Sequence, residues 1–167
     1  MGSPDELKET LQQKKVLIII AEVICVAAFI GSAAYVIPSG IDDWKHKING
    51  DDDYGWGAVY DLTTGALAIM MVVTTVFLHI GWSNLEVRKL KTVNLLCIIY
   101  WISTPIQLAL WIISVCYDDC FDAITFAIIY TWIVGGLPTL IVHGIDLWVL
   151  KRLDGTDGNQ PLATEEN

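Results

Sequence analysis

Charge is what this sequence has little of. Only 17% of its 167 residues are Asp, Glu, Lys or Arg, where a soluble domain carries about a quarter. The charge present is clustered, and long stretches hold almost none. Basic residues are scarcer still: ten Lys and Arg stand against nineteen Asp and Glu, for a net charge of −9. That balance argues against nucleic acid as a partner, because displacing counterions from phosphates needs a basic surface. No stretch of apolar sequence carries a ladder of Arg or Lys, which speaks against a voltage sensor. Catalytic signatures are missing too. The chain has no G-x-x-x-x-G-K-[ST], G-x-S-x-G, H-E-x-x-H or C-x-x-C, so nothing points to an NTPase, a serine hydrolase, a zinc protease or a thioredoxin-like centre.

What is there is apolar. The composition is 54% hydrophobic with a mean hydropathy of +0.52. A bilayer core of about 30 Å needs about 20 apolar helical residues. Four segments meet this: residues 16–37, 58–80, 93–116 and 123–150. The sequence therefore predicts an all-α integral membrane four-helix bundle over 16–150. An N-terminal tail (1–15) and a polar, disordered C-terminal tail (151–167) flank it. Pro38-Ser39-Gly40 is expected to stop the first span and Gly81-Trp82-Ser83-Asn84 to follow the second. The apolar run of the first span exceeds a signal-peptide core, so it is expected to be retained.

Positive charge sets the orientation. Lys8, Lys14, Lys15, Arg88, Lys89, Lys91, Lys151 and Arg152 fall on one side of a four-span layout, and only Lys45 and Lys47 on the other. Basic residues stay in the cytoplasm, which places both termini inside. The outer loops are acidic, with Asp51, Asp52 and Asp53 in one and Asp118 and Asp119 in the other. The first lacks the Gly and Glu spacing of a calcium loop. Trp44, Tyr54, Trp56 and Tyr60 suit the outer interface, and Trp82 and Trp148 the inner one.

Ionisable residues inside a span are candidates for function. Here they are Glu22, His79, His143 and Asp146. At about 1.5 Å per residue, Glu22 lies about 9 Å, and His143 about 10 Å, from the inner ends of their spans. These two could meet at one level as a Glu22–His143 pair, with His79 shallower. Three readings stay open for this layer: plain polar packing, a proton-handling pair, or a Zn²⁺ site from Glu22, His79 and His143. The last lacks a tight local spacing such as H-x-x-x-H. Small and hydroxyl residues support packing. Ala27-x-x-x-Gly31 and Ala28-x-x-x-Ser32 are close-approach pairs, while Thr64, Ala68, Met71, Thr75 and His79 share a face. Asn94, Thr104 and Gln107 give the third span similar polarity. Pro105 and Pro138 can kink their helices, with Gly135-Gly136 making the fourth span the one to bend.

Of the four cysteines, Cys116 and Cys120 flank the second outer loop. Their separation can close a small disulfide clasp, in an oxidising compartment. Free or lipid-modified thiols and a redox pair are the alternatives. Cys25 and Cys97 sit singly in spans, as small hydrophobes.

The basic inner segment Arg88-Lys89-Leu90-Lys91 and the short Cys116–Cys120 outer loop resemble MARVEL-type tetraspan proteins over about residues 10–153. The chain has no Cys in its first outer loop, unlike claudins, and no Cys-Cys-Gly, unlike tetraspanins. The resemblance implies a role in membrane apposition, vesicle traffic or junction assembly, and assigns no functional residue. The expectation is a non-enzymatic organiser or accessory subunit of the plasma membrane or the secretory pathway. It needs no cofactor or metal, and its partners are the lipid bilayer and a protein partner or further copies of itself. The rivals are a small transporter or channel subunit using Glu22, His79 and His143, and a membrane-embedded lipid or quinone enzyme.

Overall fold

The computed structural model describes residues 4–50, 55–115 and 131–157. These form α1 (Pro4–Ile48), α2 (Gly55–Asn84), α3 (Val87–Val115), a π-helical turn (Thr131–Gly136) and α4 (Leu137–Asp157). Four helical stretches are long and apolar enough to cross a membrane: Leu7–Ile48, Gly55–Asn84, Val87–Ile113 and Ile133–Leu153. The all-α expectation holds among the described residues, and these four helices support the multi-pass reading by length and composition. Cys116, Cys120, Asp51–Asp53 and the start of the expected fourth span lie outside the described residues. The disulfide clasp therefore has no structural support, and the described cysteines, Cys25 and Cys97, are both free.

The helices overrun the expected spans. At about 1.5 Å per residue, the 45 residues of α1 reach about 68 Å, more than twice the bilayer core. Pro4–Lys15 is helix rather than tail. Leu7 and Leu11 are buried and belong to one apolar cluster with Leu150 and Leu153 of α4. Where water surrounds the helices, such burial contributes about 1.5–3 kcal/mol per large aliphatic side chain. The C-terminal tail is likewise helical as far as Asp157.

Pro38-Ser39-Gly40 does not end α1. A proline inside a helix removes one hydrogen bond, and packing against α2 outweighs that local signal. Gly40 is buried, and a Cβ there would meet Asp61 Cβ at 2.9 Å and the Leu62 amide nitrogen at 3.1 Å. Farther in, a Cβ on Gly65 would overlap the Ile37 side chain. Glycine lets α1 and α2 touch along this seam, the close backbone approach that small residues allow between apolar helices.

One stripe of each helix faces the interior. On α1 it is Ile18, Glu22, Cys25, Phe29, Ser32 and Val36; on α2, Ala68, Met71, Thr75 and Leu78; on α3, Leu90, Val93, Cys97 and Tyr100; on α4, Thr139, Val142, Asp146 and Val149. Steps of three and four residues are the period of a helix with one inward face. Ala28-x-x-x-Ser32 follows this face. Ala27-x-x-x-Gly31 does not: both residues are exposed, and a Cβ on Gly31 would meet nothing within 4 Å.

The expected irregularity in the fourth span takes the form of the π turn Thr131–Gly136. Pro138 cannot donate back to the Val134 carbonyl, and Gly135-Gly136 accepts the wider turn. The Thr139 hydroxyl donates to the Gly135 carbonyl at 2.8 Å, and the Cys25 thiol donates to the Pro138 carbonyl at 3.6 Å. Interior side chains thus reach a carbonyl before the proline and the proline's own.

Between α2 and α3 the chain turns at Asn84-Leu85-Glu86. Leu85 is left-handed, with φ 55°, and the Glu86 amide donates to the Gly81 carbonyl at 2.8 Å. This is a Schellman ending with Leu where Gly is usual. Glu86 then caps α3, its carbonyl taking the amides of Lys89 and Leu90 at 3.0 and 3.2 Å.

Candidate functional site

The four intramembrane candidates do not form one layer of mutual contacts. They divide into two clasps and one carboxylate without a partner. The first clasp joins α1 to α2. Glu22 is buried, at 6% exposure, and both its oxygens are engaged. His79 Nδ1 donates to Oε2 at 2.7 Å, and Trp82 Nε1 donates to Oε1 at 2.6 Å. His79 and Trp82 sit three residues apart, so they share a face of α2. Their rings meet edge to face, with centroids 5.1 Å apart at 81°, a favoured aromatic geometry. The His79 side chain remains 48% exposed, while Trp82 is 4% exposed. Glu22 is thus clamped between a buried donor and a donor at the rim.

The second clasp joins α3 to α4. His143 Nε2 donates to Asn94 Oδ1 at 2.9 Å. The expected Glu22–His143 pair is therefore not the contact the fold makes. The facing was not legible from spacing along each helix: Glu22 turns to α2, and His143 to α3. Trp82 and Asn94 are the partners that sequence reasoning missed. Trp82 reads as an interface anchor, yet its spacing of three from His79 signals that the indole shares the imidazole's face. Among the described residues, no three His, Cys, Asp or Glu side chains converge to hold a metal ion.

Asp146 stands apart. It is fully buried, and neither carboxylate oxygen has a hydrogen-bond partner among the described residues. An unsatisfied buried polar group costs about 1–3 kcal/mol, more if charged. Its spacing of three from His143 places both on one side of α4, but His143 bonds across to α3.

Nearer the other end of the bundle lies a small cavity of about 20 Å³, lined by Phe29, Ser32, Thr64, Tyr100, Gln107 and Gly135, among others. The Thr64 hydroxyl there is buried without a hydrogen-bond partner among the described residues. One water needs about 10–15 Å³ of such space and two or more polar neighbours, so a single water fits.

Lys14 of α1 and Arg152 of α4 lie 5.0 and 5.8 Å from the Trp148 ring centroid. Cation–π contact of this kind ties α1 to α4. In the α2–α3 turn, the Glu86 carboxylate takes hydrogen bonds from Lys89, at 3.0 Å, and Asn84, at 3.1 Å. The Lys89 bond first, then the Asn84 bond, hold its pKa below the ordinary glutamate value.

Comparison with protein-family models, with curated protein sequences and with solved structures finds no match. The likeness to MARVEL-type tetraspans stands on layout and the residues named for it alone.

Proposed function

We propose that this protein is a non-enzymatic four-span membrane organiser or accessory subunit, with both termini in the cytoplasm. It would serve membrane apposition, junction assembly or vesicle traffic at the plasma membrane or along the secretory pathway. The observation that carries this reading is the Glu22 clasp. Both oxygens of the most deeply placed α1 carboxylate are taken by α2 donors, so the group binds helix to helix. The outward surface agrees with lateral contacts as the working surface. Large aliphatic side chains such as Val16, Ile20, Val23, Leu95, Ile102 and Leu140 are exposed where lipid or another membrane helix can cover them. The eight-to-two distribution of basic residues supports the orientation.

The test is purification of the full chain in mild detergent after crosslinking in the native membrane. A stoichiometric larger partner or a defined homo-oligomer is the expected result. A monomer with no stoichiometric partner overturns the proposal.

One observation favours a second reading, a small proton-linked transporter subunit: the carboxylate of Asp146 in the bundle interior has no hydrogen-bond partner among the described residues. Flux by the pure protein in proteoliposomes, abolished by Asp146→Asn, would replace the organiser reading with this one.

A further inference from the structure

The start of α3 carries three cations, Arg88, Lys89 and Lys91, and the fold treats them differently. Lys89 is neutralised, its Nζ lying 2.9 and 3.0 Å from the two Glu86 oxygens. Arg88 and Lys91 are exposed and join no ion pair among the described residues. Together they line an open groove of about 450 Å³ whose other walls are Val87, Thr92 and Leu95. Two uncompensated charges therefore sit on a partly apolar groove at one end of a spanning helix.

The groove continues into an apolar ridge. Residues 88, 91, 95, 98 and 102 follow steps of three and four, which keeps them on one face of α3. Leu95, Ile98 and Ile102 are 56%, 41% and 63% exposed. Of the four spans, α3 buries the smallest share of its apolar stretch, 17% against 33%, 39% and 39%. From Lys91 to Ile102 the helix rises about 16 Å, close to half of a bilayer core of about 30 Å. The face thus presents cations first, then apolar surface one leaflet deep.

We propose that this face is a binding site for one anionic phospholipid. Its phosphate and acidic headgroup rest on Arg88 and Lys91, and an acyl chain lies along Leu95, Ile98 and Ile102. Arg suits a phosphate because its planar fork donates two parallel bonds, and Lys adds a second point charge. An acidic peptide would satisfy the cations but would not use a lipid-facing ridge that runs one leaflet deep. The site goes beyond the organiser role and does not depend on it.

The experiment is native mass spectrometry of the full chain in detergent, titrated with phosphatidylglycerol and, separately, with phosphatidylcholine. Near an anionic lipid surface each cation contributes about fivefold in affinity, so the pair gives about 30-fold. The expected result is one tightly held phosphatidylglycerol, with that preference lost in R88Q/K91Q and kept in the charge-preserving R88K/K91R. E86Q/K89Q leaves the preference nearly unchanged, because it removes a cation and an anion that already neutralise each other. Three results overturn the proposal. One is an unchanged preference in R88Q/K91Q. Another is an equal loss in E86Q/K89Q, which means that the site does not rest on Arg88 and Lys91. The third is full displacement by glycerol phosphate, which means an anion site with no role for the acyl chain.

Discussion

Replacing Glu22 tests the clasp most directly. Leu has nearly the volume of Glu, so Glu22→Leu removes the acceptors and leaves little cavity. Trp82 Nε1–H, in a side chain 4% exposed, then loses its acceptor in the interior, at a cost of about 1–3 kcal/mol. The His79 bond is worth less. Its side chain is 48% exposed, so the contact is discounted where water reaches it, and interhelical bonds in membranes average about 0.6 kcal/mol. Glu22→Leu should therefore cost about 2–3 kcal/mol. Glu22→Gln should cost about 1 kcal/mol or less, because its amide oxygen still accepts from Trp82. Its NH₂ can donate to His79 Nδ1 once that proton moves to Nε2. Trp82→Phe added to Glu22→Leu removes the orphaned donor. The double-mutant cycle should then show a coupling of about 1–2 kcal/mol. The measurement is reversible unfolding of the full chain in mixed micelles, with helicity confirmed for each variant. A coupling below about 0.3 kcal/mol, or a Glu22→Leu variant more stable than wild type, would refute the clasp as a structural element.

Other outcomes follow from the same packing. Asp146→Asn should leave stability unchanged or raise it, since no hydrogen bond is lost and a buried charge is removed; marked destabilisation in the same assay would mean that Asp146 has a partner. Gly65→Ala should cost about 1–3 kcal/mol, because its Cβ meets Ile37 across the α1–α2 seam, whereas Gly31→Ala, with nothing within 4 Å, should be neutral or slightly stabilising; equal effects would contradict the seam. Glu86 has a lowered folded pKa from its Lys89 and Asn84 bonds, so the turn's stabilisation is present above the unfolded glutamate pKa and is lost as pH falls through the folded one. A carboxyl NMR titration should show this depressed midpoint, moving toward the ordinary value in Lys89→Met; an unmoved midpoint would remove Lys89 as the cause.

The sequence by itself determined the number and kind of elements. Twenty-residue apolar runs have one solution in lipid, since each backbone amide must bond within its own helix. The inward stripes were legible as well, because Ala68, Met71 and Thr75, or Thr139 and Asp146, recur at helical spacing. Element ends were not. Pro38-Ser39-Gly40 reads as a stop, and contact with Asp61 and Leu62 carries α1 through it. Leu7 and Leu11 read as tail residues until α4 supplies the apolar surface they cover. Only the tertiary structure decided who pairs with whom. Depth along a helix follows from counting residues, and counting says nothing of which neighbour a side chain meets. Azimuth and helix neighbours depend on how four cylinders pack, and that gave Glu22 to His79 and Trp82, His143 to Asn94, and no partner to Asp146 among the described residues.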